Sequence, residues 1–166
     1  MLVSTQLTIV DFSEERAMRN WRITNDNVMG GVSNASFEWD ETGFGVFSGN
    51  VSTANNGGFA MTRLPLKIAL NEPFRSIKLK VKGDGKKYQF RIKSNNLQRY
   101  WYVQSFQTSN EWEEISLPLA AFYPSYRGYR LNQENFSDNT IREIAILIGN
   151  KVDEDFELII DSIVLE

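Results

Sequence analysis

The stretch Ser76-Ile-Lys-Leu-Lys-Val-Lys82, continued by Gly83-Asp-Gly-Lys86 and Lys87-Tyr-Gln-Phe-Arg-Ile-Lys93, carries the clearest structural pattern in the sequence. Apolar and polar residues alternate on both sides of the central segment, and a period of two is typical of β-strands with one buried face. The central segment contains two glycines and an aspartate, which favour tight turns because they tolerate positive φ. The pattern therefore predicts two strands joined as a β-hairpin.

The same alternation recurs along most of the chain. It predicts further strands over residues 35–39, 44–49, 59–66, 100–108, 112–117, 144–148 and 156–165. Helix signals are limited to one or two turns at 13–20, with Ser13 as N-cap, and one turn at 119–122. Many short strands without crossover helices favour antiparallel sheets. We therefore predict an all-β sandwich or barrel.

The composition restricts the chemistry. The chain has 166 residues, with 18 Lys and Arg, 21 Asp and Glu, no His and no Cys, and a net charge of −3. The absence of Cys excludes disulfides and thiolate nucleophiles, and the absence of His excludes His-dependent triads and His-ligated zinc. The length suits one domain over residues 1–166, and the slightly acidic balance argues against a general nucleic-acid binder. We expect no enzymatic activity and no cofactor.

Targeting signals are also absent from the sequence as given. No apolar run approaches the roughly 20 residues of a membrane-spanning helix, and the N-terminus has neither signal-peptide nor transit-peptide character. We therefore expect a cytoplasmic protein that is not inserted in a membrane.

Two polar, glycine-containing loops are candidate binding elements. The first, residues 21–33, contains Asn25, Asp26 and Met29, and its polar side chains can bind a ligand or hydrogen-bond their own backbone. The second, residues 55–63, leads to Arg63. That arginine shares a strand face with two apolar side chains, so it can bind a carboxylate or a sugar hydroxyl, or form a salt bridge.

Aromatic residues form a second group of candidates. Alternation places Tyr100 and Tyr102 on one face of a strand and Trp101 on the other, where they can stack on sugar rings or be buried. The segment 123–130 is predicted to be a loop, in which Arg127 either borders a cleft or packs on a neighbouring tyrosine.

Two aspartates form a candidate metal site. Asp11 ends the predicted first strand, and Asp161 interrupts the apolar pattern of the last strand, so we expect Asp161 to be largely buried. If these strands are neighbours, both carboxylates together with backbone carbonyls can hold a structural Ca²⁺. The alternative, that each carboxylate caps backbone N–H groups, is favoured.

Several motifs, taken in order, resemble the complex I intermediate-associated protein 30 family. They are Trp21…Asn25-Asp26-x-Val28-Met29-Gly30-Gly31-x-Ser33, Phe47-Ser-Gly49, Asn56-Gly57-Gly58-Phe59…Arg63, Val81-Lys-Gly83-Asp84-Gly85-Lys86-x-Tyr88, Phe106-Gln-Thr108…Trp112, Pro118…Phe122 and Arg127-Gly128. The resemblance covers residues 10–165 and implies a galactose-binding-like jelly-roll β-sandwich, a fold shared with many carbohydrate-binding modules. Mitochondrial members assist respiratory complex I assembly. This chain lacks a transit peptide, so we interpret it as a stand-alone bacterial member.

Three functions remain open. The first is a non-enzymatic binding or assembly-factor module that contacts a protein partner or a glycan through a sheet face and rim loops. The second is a carbohydrate-binding module. The third is a carboxylate-based glycosidase or lyase, for which Asp26 and Asp84 are the candidate acids. We also predict that Asn25, Asp26, Met29, Arg63 and Arg127 lie around one region, where they either bind a polar ligand or form an ion-pair network that holds the loops on the sandwich.

Overall fold

The computed structural model describes residues 5–26 and 30–166, and it is almost entirely β-structure, which confirms the all-β prediction. Short 3-10 turns cover Glu15–Met18, Ala54–Asn56 and Leu119–Ala121. The strands are β1 (Leu7–Asp11), β2 (Arg22–Asn25), β3 (Asn34–Asp40), β4 (Phe44–Val51), β5 (Ala60–Ala69), β6 (Ser76–Lys82), β7 (Lys87–Lys93), β8 (Trp101–Gln107), β9 (Trp112–Pro118), β10 (Tyr123–Tyr126), β11 (Tyr129–Arg130), β12 (Thr140–Ile148) and β13 (Glu154–Leu165).

The strands form two antiparallel sheets. The six-stranded sheet has the order β3-β4-β13-β6-β9, with β1 also paired to β13. The seven-stranded sheet has the order β11-β10-β8-β7-β12-β5-β2. The core lies between the two sheets, since the apolar side chains of β6 and β7 point into one cluster and are fully buried. Each such side chain contributes about 1.5–3 kcal/mol through burial.

The predicted hairpin at 76–93 is wrong, although both strands exist as predicted. Strand β6 pairs with β13 and β9, whereas β7 pairs with β12 and β8, so residues 83–86 cross from one sheet to the other. Each strand has a fully apolar face, and placing the strands in opposite sheets lets these faces meet across the core. Asp84 stabilises this connecting segment, because its Oδ2 accepts hydrogen bonds from the Glu157 N–H at 2.8 Å and from the Tyr88 hydroxyl at 3.1 Å.

Smaller differences from the expectations occur at short elements. The turn near residue 13 is a single 3-10 turn whose N-cap is Glu14 rather than Ser13. The predicted loop at 123–130 contains the edge strands β10 and β11. These strands have mixed composition, and pairing with a neighbour rather than alternation defines them. None of the helical segments in the described ranges is long and apolar enough to cross a membrane.

Candidate binding face

The side of the seven-stranded sheet that points away from the core is called here the outer face. Side chains that alternate with core positions, and their cross-strand partners, belong to it. Those used below are Arg22 on β2, Met61, Arg63 and Lys67 on β5, Glu143, Ala145 and Leu147 on β12, Lys87, Gln89, Arg91 and Lys93 on β7, Trp101 and Ser105 on β8, Tyr123 on β10 and Arg130 on β11. Several of the apolar ones form a small second cluster of buried side chains.

The outer face is cationic although the chain as a whole is acidic. Among its described side chains, Glu143 is the sole carboxylate. Seven side chains are cationic, namely Arg22, Arg63, Lys67, Lys87, Arg91, Lys93 and Arg130. This face therefore carries an excess of positive charge, although the chain as a whole has a net negative charge.

Arg63 forms the ion pair of this face. Its Nη1 lies 3.7 Å from Oε2 of Glu143, and the two side chains are 33% and 14% exposed. Its Nε is buried and has no hydrogen-bond partner. Arg63 therefore forms a salt bridge, which is one of the two roles considered from the sequence. The contact with Glu143 leaves N–H donors of the guanidinium, including Nε, without an acceptor among the described residues.

Arg91 has no opposite charge beside it. It is half-buried, and its Nε and Nη2 donate to Oε1 of Gln89 at 3.0 and 2.7 Å. Burial lowers the pKa of the Arg91 guanidinium to about 10, because charge is disfavoured away from water. Within residues 5–26 and 30–166 it takes part in no ion pair. Arg91 is thus a partly desolvated cation held by a neutral amide.

Ala145 separates the two arginines. In the strand register Arg63 lies opposite Ala145, and Ala145 lies opposite Arg91. Neighbouring strands are about 4.8 Å apart, which places the Cα atoms of the two arginines about 10 Å from each other. Ala145 is itself fully buried within the second apolar cluster, so a ligand on this row meets the flanking arginine side chains rather than Ala145.

Cations also cover the aromatic rings of this face. The ammonium of Lys93 lies 4.5 Å from the centroid of the Trp101 ring, and the guanidinium of Arg130 lies 4.7 Å from that of Tyr123. Burial lowers the pKa of Lys93, and this effect and the nearby Arg63 outweigh the opposing influence of Glu143. The face therefore presents cations above its rings.

The three consecutive aromatics divide between the two sides of β8 as predicted. Tyr102 is 7% exposed and packs in the main core, and the half-buried Tyr100 packs against that core. Trp101 belongs to the outer cluster and is 8% exposed. None of the three offers a broad free ring surface on which a sugar could stack. Their proposed role in binding stays a prediction, and their burial does not favour it.

Asp26 joins the two glycine-containing loops. It is fully buried, and its Oδ1 accepts a hydrogen bond from the Ser33 N–H at 2.9 Å. Its Oδ2 accepts from the Ser33 hydroxyl at 2.5 Å and from the N–H groups of Gly58 at 2.5 Å and Phe59 at 3.4 Å. A carboxylate with this many donors is well satisfied without a counter-ion. Of the two roles considered for this loop, Asp26 therefore has the structural one, in which its carboxylate accepts hydrogen bonds from the loops themselves.

The surroundings of Asp26 stabilise its ionised form and leave no space beside its carboxylate. Burial alone would raise the pKa of Asp26, but the hydrogen bonds from Ser33, Gly58 and Phe59 outweigh it and lower the pKa below its ordinary value. A Cβ added to Gly31 would lie 2.3 Å from the Asp26 Cγ, and one added to Gly57 would lie 2.4 Å from its Oδ2. Both loops thus need glycine beside the carboxylate.

The predicted single region splits in two. Asn25 is the last residue of β2 and pairs with Ala60, so Asn25, Asp26 and Arg63 lie along the β2–β5 edge. Met29 lies outside the described residues. Arg127 lies in the β10–β11 turn at the opposite edge of the sheet, where its guanidinium is 5.3 Å from the centroid of the Tyr126 ring. Strands β2 and β10 are five strand spacings apart, which is about 24 Å. Including Arg127 was wrong, because its strands join the far side of the sheet.

The expected burial of Asp161 is also wrong, whereas the expected proximity of the first and last strands is confirmed. Strand β1 pairs with β13, and the Phe12 N–H donates to the Asp161 carbonyl at 3.0 Å. Asp161 is only half-buried, because a bulge between Ile160 and Ser162 changes which residues point inward. The Asp11 carboxylate accepts from the Ser13 N–H at 2.9 Å, and this bond lowers its pKa.

The proposed calcium site at Asp11 and Asp161 stays a prediction. The described parts of the chain contain no group of three or more acidic residues placed to hold a metal ion. The two candidate catalytic acids are likewise engaged in structure, since Asp26 and Asp84 both accept backbone N–H groups. Their geometry offers no free carboxylate pair in a cleft.

Sequence reasoning missed the residues that give the outer face its charge. The alternation in β7 already showed that Gln89, Arg91 and Lys93 share a face. The sequence did not reveal the strand order, which places Arg63 of β5 and Arg91 of β7 on either side of β12. Without that order the two arginines are 28 positions apart and unrelated.

Solved structures with a similar fold include carbohydrate-binding modules. A family 11 carbohydrate-binding module of a Clostridium thermocellum cellulosomal cellulase superposes with a TM-score of 0.73 at 19% identity, covering 99% of this chain and 95% of that one. The module from the same organism in complex with a β-1,3-1,4-mixed-linked tetrasaccharide gives 0.71 at 20% identity, covering 96% and 94%. At these identities the likeness concerns the fold, and it confirms the galactose-binding-like jelly-roll sandwich.

Sequence relatives lead to a more specific family. A probable mitochondrial complex I intermediate-associated protein 30 of Caenorhabditis elegans is 27% identical over 92% of this chain and 52% of its own length. The mitochondrial protein of that name from Mus musculus is 26% identical over 92% of this chain and 53% of its own. The chain thus spans about half the length of these relatives. Since the family's sequence profile matches residues 10–160, the chain belongs to the complex I intermediate-associated protein 30 family.

Proposed function

We propose that this chain is a non-enzymatic binding module of the assembly-factor kind, which holds a protein partner on the outer face of the seven-stranded sheet. The observation that carries the proposal is the row Arg63–Ala145–Arg91, in which two arginines lie on either side of a small buried residue and Arg91 has no ion pair within the described residues. Partly desolvated charge is costly in a free protein, and a partner that supplies opposite charge offsets this cost.

Family membership supports a protein partner. The relatives that match most of the chain are named as complex I intermediate-associated proteins, a description of association with an assembly intermediate. The acids of this chain support a non-catalytic role, since Asp26 and Asp84 are saturated with hydrogen-bond donors from the fold itself.

Site-specific photo-crosslinking tests this proposal. Benzoylphenylalanine is introduced in place of Ser105, an exposed residue of the outer face, and in place of Ser116, an exposed serine on the outward side of the six-stranded sheet. In cells of the native host we expect a discrete crosslinked polypeptide from position 105 and none from position 116. Equal crosslinking from both positions, or none from position 105, would contradict the proposal.

Glycan binding is the second candidate, and exposed aromatic rings at one rim favour it. Tyr129 is 78% exposed at the β10–β11 edge of the seven-stranded sheet, and its cross-strand partner Tyr126 is 38% exposed; both lie on the side opposite Arg130, away from the outer face. Rings of this kind can stack on sugars. Titration of the protein with a mixed-linked β-glucan tetrasaccharide, followed by amide NMR shifts, tests this candidate. Saturable shifts that Tyr129→Ala abolishes would establish sugar binding, and their absence would remove it.

A further inference from the structure

The charges of the outer face indicate what kind of partner segment it accepts. We propose that this segment is an acidic polypeptide and that one of its carboxylates binds between the guanidinium groups of Arg63 and Arg91. The inference rests on the proposed function and names the chemistry of the partner.

The geometry of the row suits a single carboxylate. The Cα atoms of Arg63 and Arg91 are about 10 Å apart, a gap that two long side chains can span by leaning toward a shared ligand. Arg91 uses only Nε and Nη2 on Gln89 and keeps its other donors, and Arg63 has a single 3.7 Å contact to Glu143. Planar guanidinium groups bind carboxylates in a bidentate manner, which makes arginine suitable for this contact.

The neighbouring rings argue against a sugar in the same place. Sugars that bind through stacking need a free ring surface, but Lys93 lies over the Trp101 ring and Arg130 lies over the Tyr123 ring. A ligand approaching this part of the face therefore meets ammonium and guanidinium groups first. Ion pairing, rather than stacking, dominates recognition here.

The charge of the rest of the molecule argues against long polyanions. The chain carries a net charge of −3 although its outer face is cationic, so acidic groups predominate elsewhere. A nucleic acid or a polyuronate carries charge on every unit and would extend beyond the patch toward those acidic groups. A short acidic stretch of a protein confines its charge to the patch.

Binding of short synthetic peptides tests the inference. The probe is the acetylated and amidated decapeptide of alternating Glu and Gly, and the control peptide has Gln in place of every Glu. We expect saturable NMR shifts at the Ala145 amide and the Arg91 Nε–H with the Glu peptide at low salt, weakening as salt is raised, and none with the Gln peptide. Binding of both peptides, or of neither, would overturn the inference.

Variants locate the carboxylate. Arg63→Gln and Arg91→Gln are each expected to weaken binding of the Glu peptide by about tenfold, the usual range for one charge-assisted contact. The matched control Lys80→Gln removes an exposed cation from the outward side of the six-stranded sheet and should change affinity less than about twofold. Equal effects of the three variants would show non-specific charge attraction and refute the site.

A variant that retains the charge tests the geometry of the contact. Arg91→Lys keeps the positive charge but removes the bidentate donor pair, so we expect weaker peptide binding with the thermal transition retained. Unchanged affinity would contradict the proposal.

The failures of the two proposals are distinguishable. A crosslinked partner at Ser105 together with no binding of the Glu peptide would refute the acidic segment and leave the binding face intact. Tighter binding of a polygalacturonate oligomer or a DNA dodecamer than of the Glu peptide would overturn the polypeptide assignment. No crosslink and no peptide binding would remove both.

Discussion

Asp26 and Arg91 are both charged side chains that are at least partly removed from water, but they differ in how far the surrounding protein satisfies their charge. Asp26 is fully buried, and hydrogen bonds from Ser33, Gly58 and Phe59 satisfy both of its oxygens. Arg91 is half-buried, and a neutral amide is its hydrogen-bond partner on this face. The contrast separates a charge that the chain uses to hold itself together from a charge that is left for a partner.

Removal of the Asp26 carboxylate should have the largest effect. Asp26→Ala leaves the donors of Ser33, Gly58 and Phe59 without their acceptor, and we expect a loss of about 3 kcal/mol in the free energy of unfolding, measured by urea denaturation. Asp153→Ala is the matched control, since Asp153 accepts from the N–H and hydroxyl of Thr53 in an exposed position. A loss no greater than that of the control would show that Asp26 is not an anchor.

Crowding around Asp26 should have the next largest effect. Gly31→Ala places a methyl group within 2.3 Å of the Asp26 Cγ, so we expect a loss of about 2 kcal/mol through overpacking. Because Asp26→Ala removes the atoms that clash, the double variant should be less destabilised than the sum of the two single variants. Strict additivity in urea denaturation would contradict this account of Gly31.

The pH dependence of stability sharpens the comparison. The pKa of Asp26 is lower in the folded protein than in the unfolded chain, so the folded state favours the ionised form. The stabilisation is fully present above the unfolded pKa of about 3.9 and is lost as pH falls through the lower, folded pKa. We therefore expect the stability difference between wild type and Asp26→Asn to shrink as the pH is lowered from about 5 to about 2. A constant or growing difference would mean that the carboxylate is not held ionised.

Arg91 should show the smallest effect on folding. Arg91→Met removes a partly desolvated cation that has no ion pair within the described residues, and we expect stability to stay within about 0.5 kcal/mol of wild type or to rise slightly. Thermal and urea denaturation measure this directly. A loss above about 1 kcal/mol would place Arg91 with Asp26 as a structural charge.

The individual strands were predictable because each depends on local alternation. Strands β3 and β4 and their hairpin, and the long last strand β13, follow directly from residues that alternate along one segment. Pairing between distant segments leaves no such local pattern. The edge strand β2 was therefore missed, and the single bulge at residue 161 was enough to reverse the expected direction of Asp161.

The sequence by itself determined the all-β class, the positions of most strands and the family, because alternation and ordered motifs are properties of short segments. Only the tertiary structure decided that β6 and β7 lie in opposite sheets, since two apolar faces can be buried side by side or face to face and the alternation is the same. It likewise decided that Arg63 and Arg91 flank Ala145, whereas Arg127 lies at the far edge. Strand order, which depends on contacts between distant parts of the chain, places these charges together.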